Sequence, residues 1–402
     1  MARYTGLLTQ AFSSIAHSFS HLFTLLYATV VLVLEREWGM SYADLFALSI
    51  PMSILFGAAA LPAGWLGDKW SASGMMALFF LGVGACSIAT GLADSPLTIC
   101  LALSGIGLFA AIYHPVGIPW LVRNAVNRGR ALGINGVFGS AGTAGAALVA
   151  GLLADLYGWR AAFIVPGAIC LLIGIAFIWA RQAGLLLDRG EDLVPQPQAG
   201  KSDIWRVFWV MSATMLCTGL IYQATAFALP KVFDARLSGF FNDSMLGIGG
   251  MVTLVYTCSA LSQIVGGELA DRFSLRSVYI AAQWLQIPVI LLGMILIHPA
   301  LIPVAALMVS INVVGQPAEN SLLAKYTPPQ WRGRAFGAKF VLTLGVSSLG
   351  VAVIPVIYKL TGTLDVLFIM LAICAALAGT FAMMLPRDGK TAPVEAAPQA
   401  AE

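Results

Sequence analysis

Three of the four histidines, His17, His21 and His114, fall inside long apolar runs, where a titratable ring marks a place to look for chemistry. His17 and His21 are four residues apart, so on a helix their side chains are neighbours about 6 Å from one another. Successive helical residues turn by about 100°, which gathers Gln10, Ser13, Ser14, His17, His21 and Thr24 on one side of the first run. His114 lies in Ala111 Ile112 Tyr113 His114 Pro115 Val116 Gly117, with Gly107, Ala110 and Gly117 leaving room on its face. Asn312, Gln316 and Glu319 share another face, and Glu319 is the one acid expected inside a span and away from its ends. A softer face carries Met211, Met215, Thr218, Tyr222 and Thr225, with Gln223 beside it.

Imidazole titrates near neutral pH, so His17, His21, His114 and Glu319 could take up and release protons, with Tyr222, Gln223, Asn312 and Gln316 as polar partners for a solute. At about 1.5 Å rise per residue, His17, His114 and Glu319 stand roughly 5 to 10 Å to the same side of their helix midpoints. One aqueous chamber could therefore hold all three. Glu319 could instead reach the interface and pair with Lys325 or Arg332. No Lys or Arg is expected deep in a span, so a strongly anionic solute would have to rely on protonated histidines. A second chemistry stays open, because His17, His21, His114, Met211 and Met215 are ligand types suited to copper, zinc or nickel.

The elements that must position these groups are membrane-spanning helices. With 59% hydrophobic and 10% charged residues over 402 positions, the chain could not cover its apolar surface as a water-soluble globule. Apolar runs of about 20 residues are expected near 12–34, 45–65, 72–92, 97–122, 131–154 and 161–180, then near 207–229, 244–266, 277–297, 301–323, 335–358 and 364–385. The two sets are copies. Gly64 Trp65 Leu66 Gly67 Asp68 Lys69 returns as Gly267 Glu268 Leu269 Ala270 Asp271 Arg272, an offset of 203 (267 − 64). Arg128 Gly129 Arg130 Ala131 Leu132 Gly133 returns as Arg332 Gly333 Arg334 Ala335 Phe336 Gly337 at 204 (332 − 128), and Gly158 maps to Gly362 at the same offset. Three anchors in one register indicate an internal structural repeat.

Charge orients the chain. If the N-terminus is cytoplasmic, segments on that side hold seventeen of the 22 Lys and Arg residues, the pattern expected of a multi-pass protein with both termini inside. The net charge of +3 follows from this bias and gives no reason to invoke nucleic acid. The first run is long enough to span and lacks a small-residue cleavage site, so no cleavable signal peptide is expected. The expected division is a six-helix bundle over 1–180, a cytoplasmic linker over 181–206 broken by Pro195 and Pro197, a second bundle over 207–386, and a disordered tail over 387–402. The six cysteines have no paired spacing and read as packing residues.

Gly64 to Lys69 and its copy Gly267 to Arg272 resemble the signature loop of the major facilitator superfamily, and Gly158 Trp159 Arg160 Ala161 Ala162 Phe163 resembles that superfamily's boundary between helices 5 and 6. Within it, the His-Pro element around His114 is similar to that of fosmidomycin-resistance-type transporters. The resemblance covers the whole chain. It implies an all-α membrane fold of twelve helices in two pseudo-symmetric six-helix bundles, rocking about one central site. It also implies gating or conformational roles for Asp68, Lys69, Arg130, Asp271, Arg272 and Arg334. Three departures stand out: Ser71, Ala72 and Ser73 replace basic positions after the first loop, Thr143 and Ala144 follow Gly142 where a Gly-Pro step is usual, and His21 stands where an Asp is common.

The resulting expectation is a monomeric secondary active transporter of a bacterial inner membrane, moving a small organic solute with protons, export being favoured by the fosmidomycin-type likeness. A transition-metal transporter and a non-transporting receptor or scaffold are the alternatives. No GxSxG, P-loop or HExxH occurs, so neither an enzyme nor a cofactor is expected.

Overall fold

The computed structural model describes residues 2–125, 128–186, 204–240, 244–327, 335 and 338–386. The elements are α1 (Ala2–Trp38), α2 (Tyr42–Ala47), α3 (Ile50–Ala58), α4 (Ala60–Lys69), α5 (Ala72–Gly91), α6 (Pro96–Ala110), a π turn (Tyr113–Gly117), α7 (Ile118–Asn124), α8 (Arg128–Tyr157) and α9 (Ala161–Gln182). They continue with α10 (Ile204–Leu237), α11 (Met245–Arg272), α12 (Leu275–Ile295), α13 (Leu301–Tyr326), a second π turn (Val341–Gly345), a 3₁₀ segment (Val346–Ala352), α14 (Val353–Thr361) and α15 (Asp365–Met383).

Among the described residues, eleven helical stretches are long and apolar enough to cross a membrane. Where a twelfth was expected, over 335–358, the described backbone is segmented into the second π turn, the 3₁₀ segment and α14, so only a shorter apolar helix over Gly350–Thr361 remains. Most of the expected linker and the whole tail lie outside the described residues, as does Arg334, while Arg130 is described only as part of α8.

Serine caps set several starts. Ser71, Ser244 and Ser274 accept from the backbone N–H three residues on, satisfying an orphan donor of α5, α11 and α12. Ser95 and Thr98 form a reciprocal capping box, with Pro96 at the first helical position of α6. Ser71, a departure from the superfamily pattern, thus begins α5 and also accepts from Arg181 Nη2 at 3.3 Å.

The internal repeat is visible in the backbone. Gly158 and Gly362 both adopt left-handed conformations, with φ of 84° and 71°. Each donates its N–H to the carbonyl four residues earlier, Ala154 at 3.0 Å and Tyr358 at 2.8 Å. This is a left-handed helix terminator, and a β-carbon there would be strained.

In the first part of the chain α1 packs on α8, α5 on α6 and α9, and α3 on α6; in the second, α11 packs on α13, α12 on α13 and α15, and α10 on α15. The parts meet where α8 lies on α11, α1 on α10, and α3 against the second π turn and the 3₁₀ segment. Small residues make the last crossing possible: a methyl built on Gly57 would stand 2.6 Å from the Gly345 Cα. With lipid as solvent, such close backbone packing replaces the hydrophobic gain available in water. Gly57→Val should therefore cost about 1 to 3 kcal/mol through forced separation of the backbones. Gly145→Ala, where a methyl meets nothing within 4 Å, should be neutral or stabilising. Thermal unfolding in detergent reads the difference, and equal midpoints for the two variants would contradict this crossing.

Candidate functional site

The site is built on two interruptions of helix. Pro115 has no N–H to give and its ring crowds the preceding turn, so the segment between α6 and α7 widens into a π turn that carries Tyr113, His114 and Pro115. The second π turn follows directly on Lys339 and Phe340. Phe56, Ala60, Ala111, His114, Pro115, Phe340, Val341 and Gly345 line a small cavity between the two turns, with room for roughly one water molecule. A second small cavity, lined by Thr24, Met52, Ser53, Phe56, Gln223 and Phe227, shares Phe56 with the first.

The signature loop positions the first turn. A methyl on Gly67 would stand 2.8 Å from Val116 Cγ2 and one on Gly64 would stand 3.2 Å from Pro115 Cβ, so the bare loop helix lies directly on the segment bearing His114. Charges of the two motif copies make local pairs. Asp68, largely exposed, pairs with Arg123 at 3.6 Å, and Arg272 pairs with Glu268 one turn earlier. Lys69 and Asp271 are exposed. Arg276, the basic residue kept only in the second copy, donates to the Leu385 and Met383 carbonyls.

The three histidines converge. Ring centroids of His17 and His21 are 5.1 Å apart, of His17 and His114 5.4 Å, and of His21 and His114 5.3 Å. The polar stripe of α1 faces α8, where His17 Nδ1 lies 2.8 Å from the Asn135 carbonyl and Gln10 Nε2 donates to the Ala131 carbonyl at 3.0 Å. Tyr113 stacks on His17 at 4.9 Å and donates its hydroxyl to Asn135 Oδ1 at 2.9 Å. Ser13 completes the knot by accepting from Asn135 Nδ2 at 3.3 Å. Neither Asn135 nor Tyr113 was singled out in the sequence, since each is a lone polar group in a run of small or apolar residues.

Glu319 sits in a different cluster. Its Oε1 is 2.7 Å from Lys339 Nζ, and its Oε2 accepts from Tyr279 Oη at 2.7 Å and from Thr218 Oγ1 at 3.4 Å. Glu319 is 3% exposed and Lys339 8%, and Lys339 also donates to Asn320 Oδ1. This corrects the expectation that no Lys or Arg lies deep in a span: Lys339, counted with the basic residues of the cytoplasmic side, is the buried partner of Glu319, in place of Lys325 or Arg332. Asn312 donates to Gln286 Oε1 at 3.0 Å and to the Thr218 carbonyl at 3.4 Å, and Gln286 donates to Gln283 at 3.0 Å. Tyr279, Gln283 and Gln286 form an uncharged stripe on α12 whose helical spacing is its one mark in the sequence. Gln316 is partly buried on α13, and Tyr222 stands against Tyr256 at 6.0 Å.

The one-chamber expectation is therefore replaced by two clusters joined by adjacent residues. Lys339 holds Glu319, and the next residue, Phe340, packs on His114 with ring centroids 5.3 Å apart. Met211 and Met215 are buried with Tyr279 and Leu322, apart from the apolar cluster around Tyr113 and Phe56, and so do not complete a ligand set with the histidines.

A third charged group closes the end of the molecule where α1 terminates. Lys231 on α10 reaches Glu35 at 2.6 Å and Asp234 at 3.4 Å, and lies over the Tyr42 ring at 4.8 Å and the Tyr358 ring at 5.3 Å. Arg36 pairs with Asp234 at 2.7 Å and Lys359 with Asp44 at 3.3 Å, so α1 and α2 are fastened to α10 and α14 there.

Membrane-spanning helices that enclose buried ionisable groups within each part define a multi-pass membrane protein. The sequence profile of the Major Facilitator Superfamily matches residues 12–252 and 237–401, and the chain belongs to that superfamily. It is 24% identical to the 4-hydroxybenzoate transporter PcaK of Pseudomonas putida over 78% of this chain and 77% of the relative. It is 30% identical to puromycin resistance protein pur8 of Streptomyces alboniger over 34% of this chain, a match spanning 28% of that relative. A probable L-galactonate transporter of Escherichia coli (strain K12) is 28% identical over 36% of this chain and 33% of its own length. A bacterial homologue of the human lysosomal transporter Spinster shares the fold, in an inward-facing, occupied structure with a TM-score of 0.73 at 14% identity, covering 94% of this chain and 96% of that one. These relatives are carriers of aromatic or sugar acids and a puromycin resistance protein, rather than fosmidomycin-resistance transporters. Superfamily members are transporters, not enzymes, and the Pseudomonas putida and Escherichia coli relatives are named as such.

Breaking the buried pair should be far worse than removing it. Lys339→Met leaves an uncompensated carboxylate and should cost about 3 to 5 kcal/mol, whereas Lys339→Met with Glu319→Gln should recover most of that loss. Thermal unfolding of the single and double variants checks this; additive losses would mean that the two groups do not interact.

Proposed function

We propose that the chain is a proton-coupled secondary transporter of a bacterial inner membrane, with both termini cytoplasmic and a small organic acid as its substrate. The observation that carries this reading is the Glu319–Lys339 pair. A buried ammonium with one carboxylate partner can exchange that partner for another carboxylate of similar geometry. Protonation of Glu319 removes the charge that holds Lys339, and Tyr279 and Thr218 remain in reach of the neutral acid. Lys339 can then take the carboxylate of a substrate. Proton and anion ride together in this scheme, which is symport; the export expected from the resemblance would instead need them bound in turn. The names of two relatives, 4-hydroxybenzoate and L-galactonate transporters, support a monocarboxylate.

In this reading the bundles 1–180 and 207–386, joined by the linker 181–206, rock about the cavity between the two π turns. Phe340 carries the state of Lys339 to His114, and Gln223, Asn312 and Gln316 supply polar contacts along the path, with His17, His21 and Tyr222 behind them. The Lys231 cluster closes one end while Asp68, Lys69, Arg130, Asp271, Arg272 and Arg334 act at the other. The transported-metal alternative lacks its methionines, and two of the named relatives are transporters of organic acids.

Proteoliposomes with an imposed pH gradient, acid outside, test the scheme with labelled 4-hydroxybenzoate and galactonate. Wild-type protein should accumulate at least one of them. Glu319→Gln should retain exchange of that acid across the membrane yet lose accumulation driven by the gradient, and Lys339→Gln should lose both. A Glu319→Gln response equal to wild type would overturn the proton assignment, and wild-type protein that carries neither acid would overturn the substrate class.

A further inference from the structure

We infer that His17, His21 and His114 form a binding site for a late first-row divalent metal ion, a resident ligand and not the cargo. One nitrogen from each ring lies within 4.8 Å of the others. Tetrahedral coordination at about 2.0 to 2.1 Å puts ligand nitrogens roughly 3.3 Å apart, so each ring needs to move by less than about 1 Å to close on an ion, a change within reach of small side-chain rotations.

The surroundings already orient the rings as ligands. A carbonyl only accepts, so in the neutral His17 ring Nδ1 carries the proton and donates to Asn135, which leaves the Nε2 lone pair free. Orientation of a ligating histidine by a backbone carbonyl is the usual outer support of a metal site. Gly139 gives the His17 ring the room it occupies, because a methyl there would stand 2.4 Å from Cε1. His114 is 5% exposed, and its Nδ1 has no hydrogen-bond partner among the described residues. A buried polar atom left so is costly, and a metal ion would satisfy it.

The donor set selects the ion. Three neutral imidazoles with no carboxylate among them disfavour magnesium and calcium, which want oxygen. Without sulfur ligands, copper(I) is disfavoured too, and zinc, cobalt and nickel fit best. Three protein ligands also leave one coordination position open. The rings also line the proposed transport path, but none of the metal argument uses Glu319 or Lys339, so metal binding is tested apart from the proton and carboxylate exchange.

Purified full-length protein in detergent, titrated with Co(II) and followed by visible d–d absorption, tests the site. One equivalent should bind with micromolar affinity and tetrahedral intensity, Zn(II) should displace it, and Zn(II) should raise the unfolding temperature. His21→Gln and His114→Gln should each weaken binding at least about tenfold, and the triple His17→Gln, His21→Gln, His114→Gln variant should not bind. Wild-type protein without micromolar binding, or a triple variant that binds as wild type, would overturn the site. Should the variants fail to fold, X-ray absorption of the wild-type zinc complex decides: nitrogen ligands are expected, and a sulfur ligand overturns it.

Discussion

A carboxylate buried in the interior of a membrane protein cannot stand alone, and the second part of this chain is arranged around that constraint. Glu319 is stabilised by Lys339, Tyr279 and Thr218, which come from the segment before the second π turn, from α12 and from α10. Each donor fixes the position of its own element against α13. Because a lone buried charge costs several kcal/mol and an apolar replacement for the pair would cost little or nothing, the pair is a weak device for stability. Its place where donors from three separate elements meet on α13 is what the proposed exchange of partners uses.

Backbone interruptions bring this pair near the first part of the chain. Proline widens the turn at His114, and the bare surfaces of Gly64 and Gly67 let the signature loop lie against it. Across the cavity, Gly57 and Gly345 allow α3 to meet the second π turn almost backbone to backbone. Phe340 then packs on His114 as the immediate neighbour of Lys339. The motif that the repeat exposes in sequence is therefore helical, and in the first copy it is a packing surface under the site.

Much of the scaffold was legible from the sequence because its signals are one-dimensional. Apolar run length marks the spans, serine marks several of their starts, and Gly158 and Gly362 mark equivalent left-handed terminators in the two copies. The pairing of His17 with His21 followed from spacing alone, and the stripe of α1 did face protein. What could not be read was which face of one helix meets which face of another. Lys339 lies near the start of its expected span and counted with the basic residues of the cytoplasmic side; its partners on α13 bury it. Glu319 was found but placed with the histidines, because rise per residue gives height along a helix and not lateral distance between helices. Tyr279, Gln283 and Gln286 were not legible as site residues because amides and a phenol spaced along an apolar helix carry no formal charge to mark them.

The central claim is that Glu319 gains a proton when a substrate carboxylate takes its place on Lys339. Infrared difference spectroscopy of the reconstituted protein, with and without 4-hydroxybenzoate, measures this directly in the stretching region of protonated carboxylic acids. The account predicts a new protonated-acid band on binding, with loss of a carboxylate band, both missing in Glu319→Gln. Binding without any such band, or with the same band in Glu319→Gln, would contradict it.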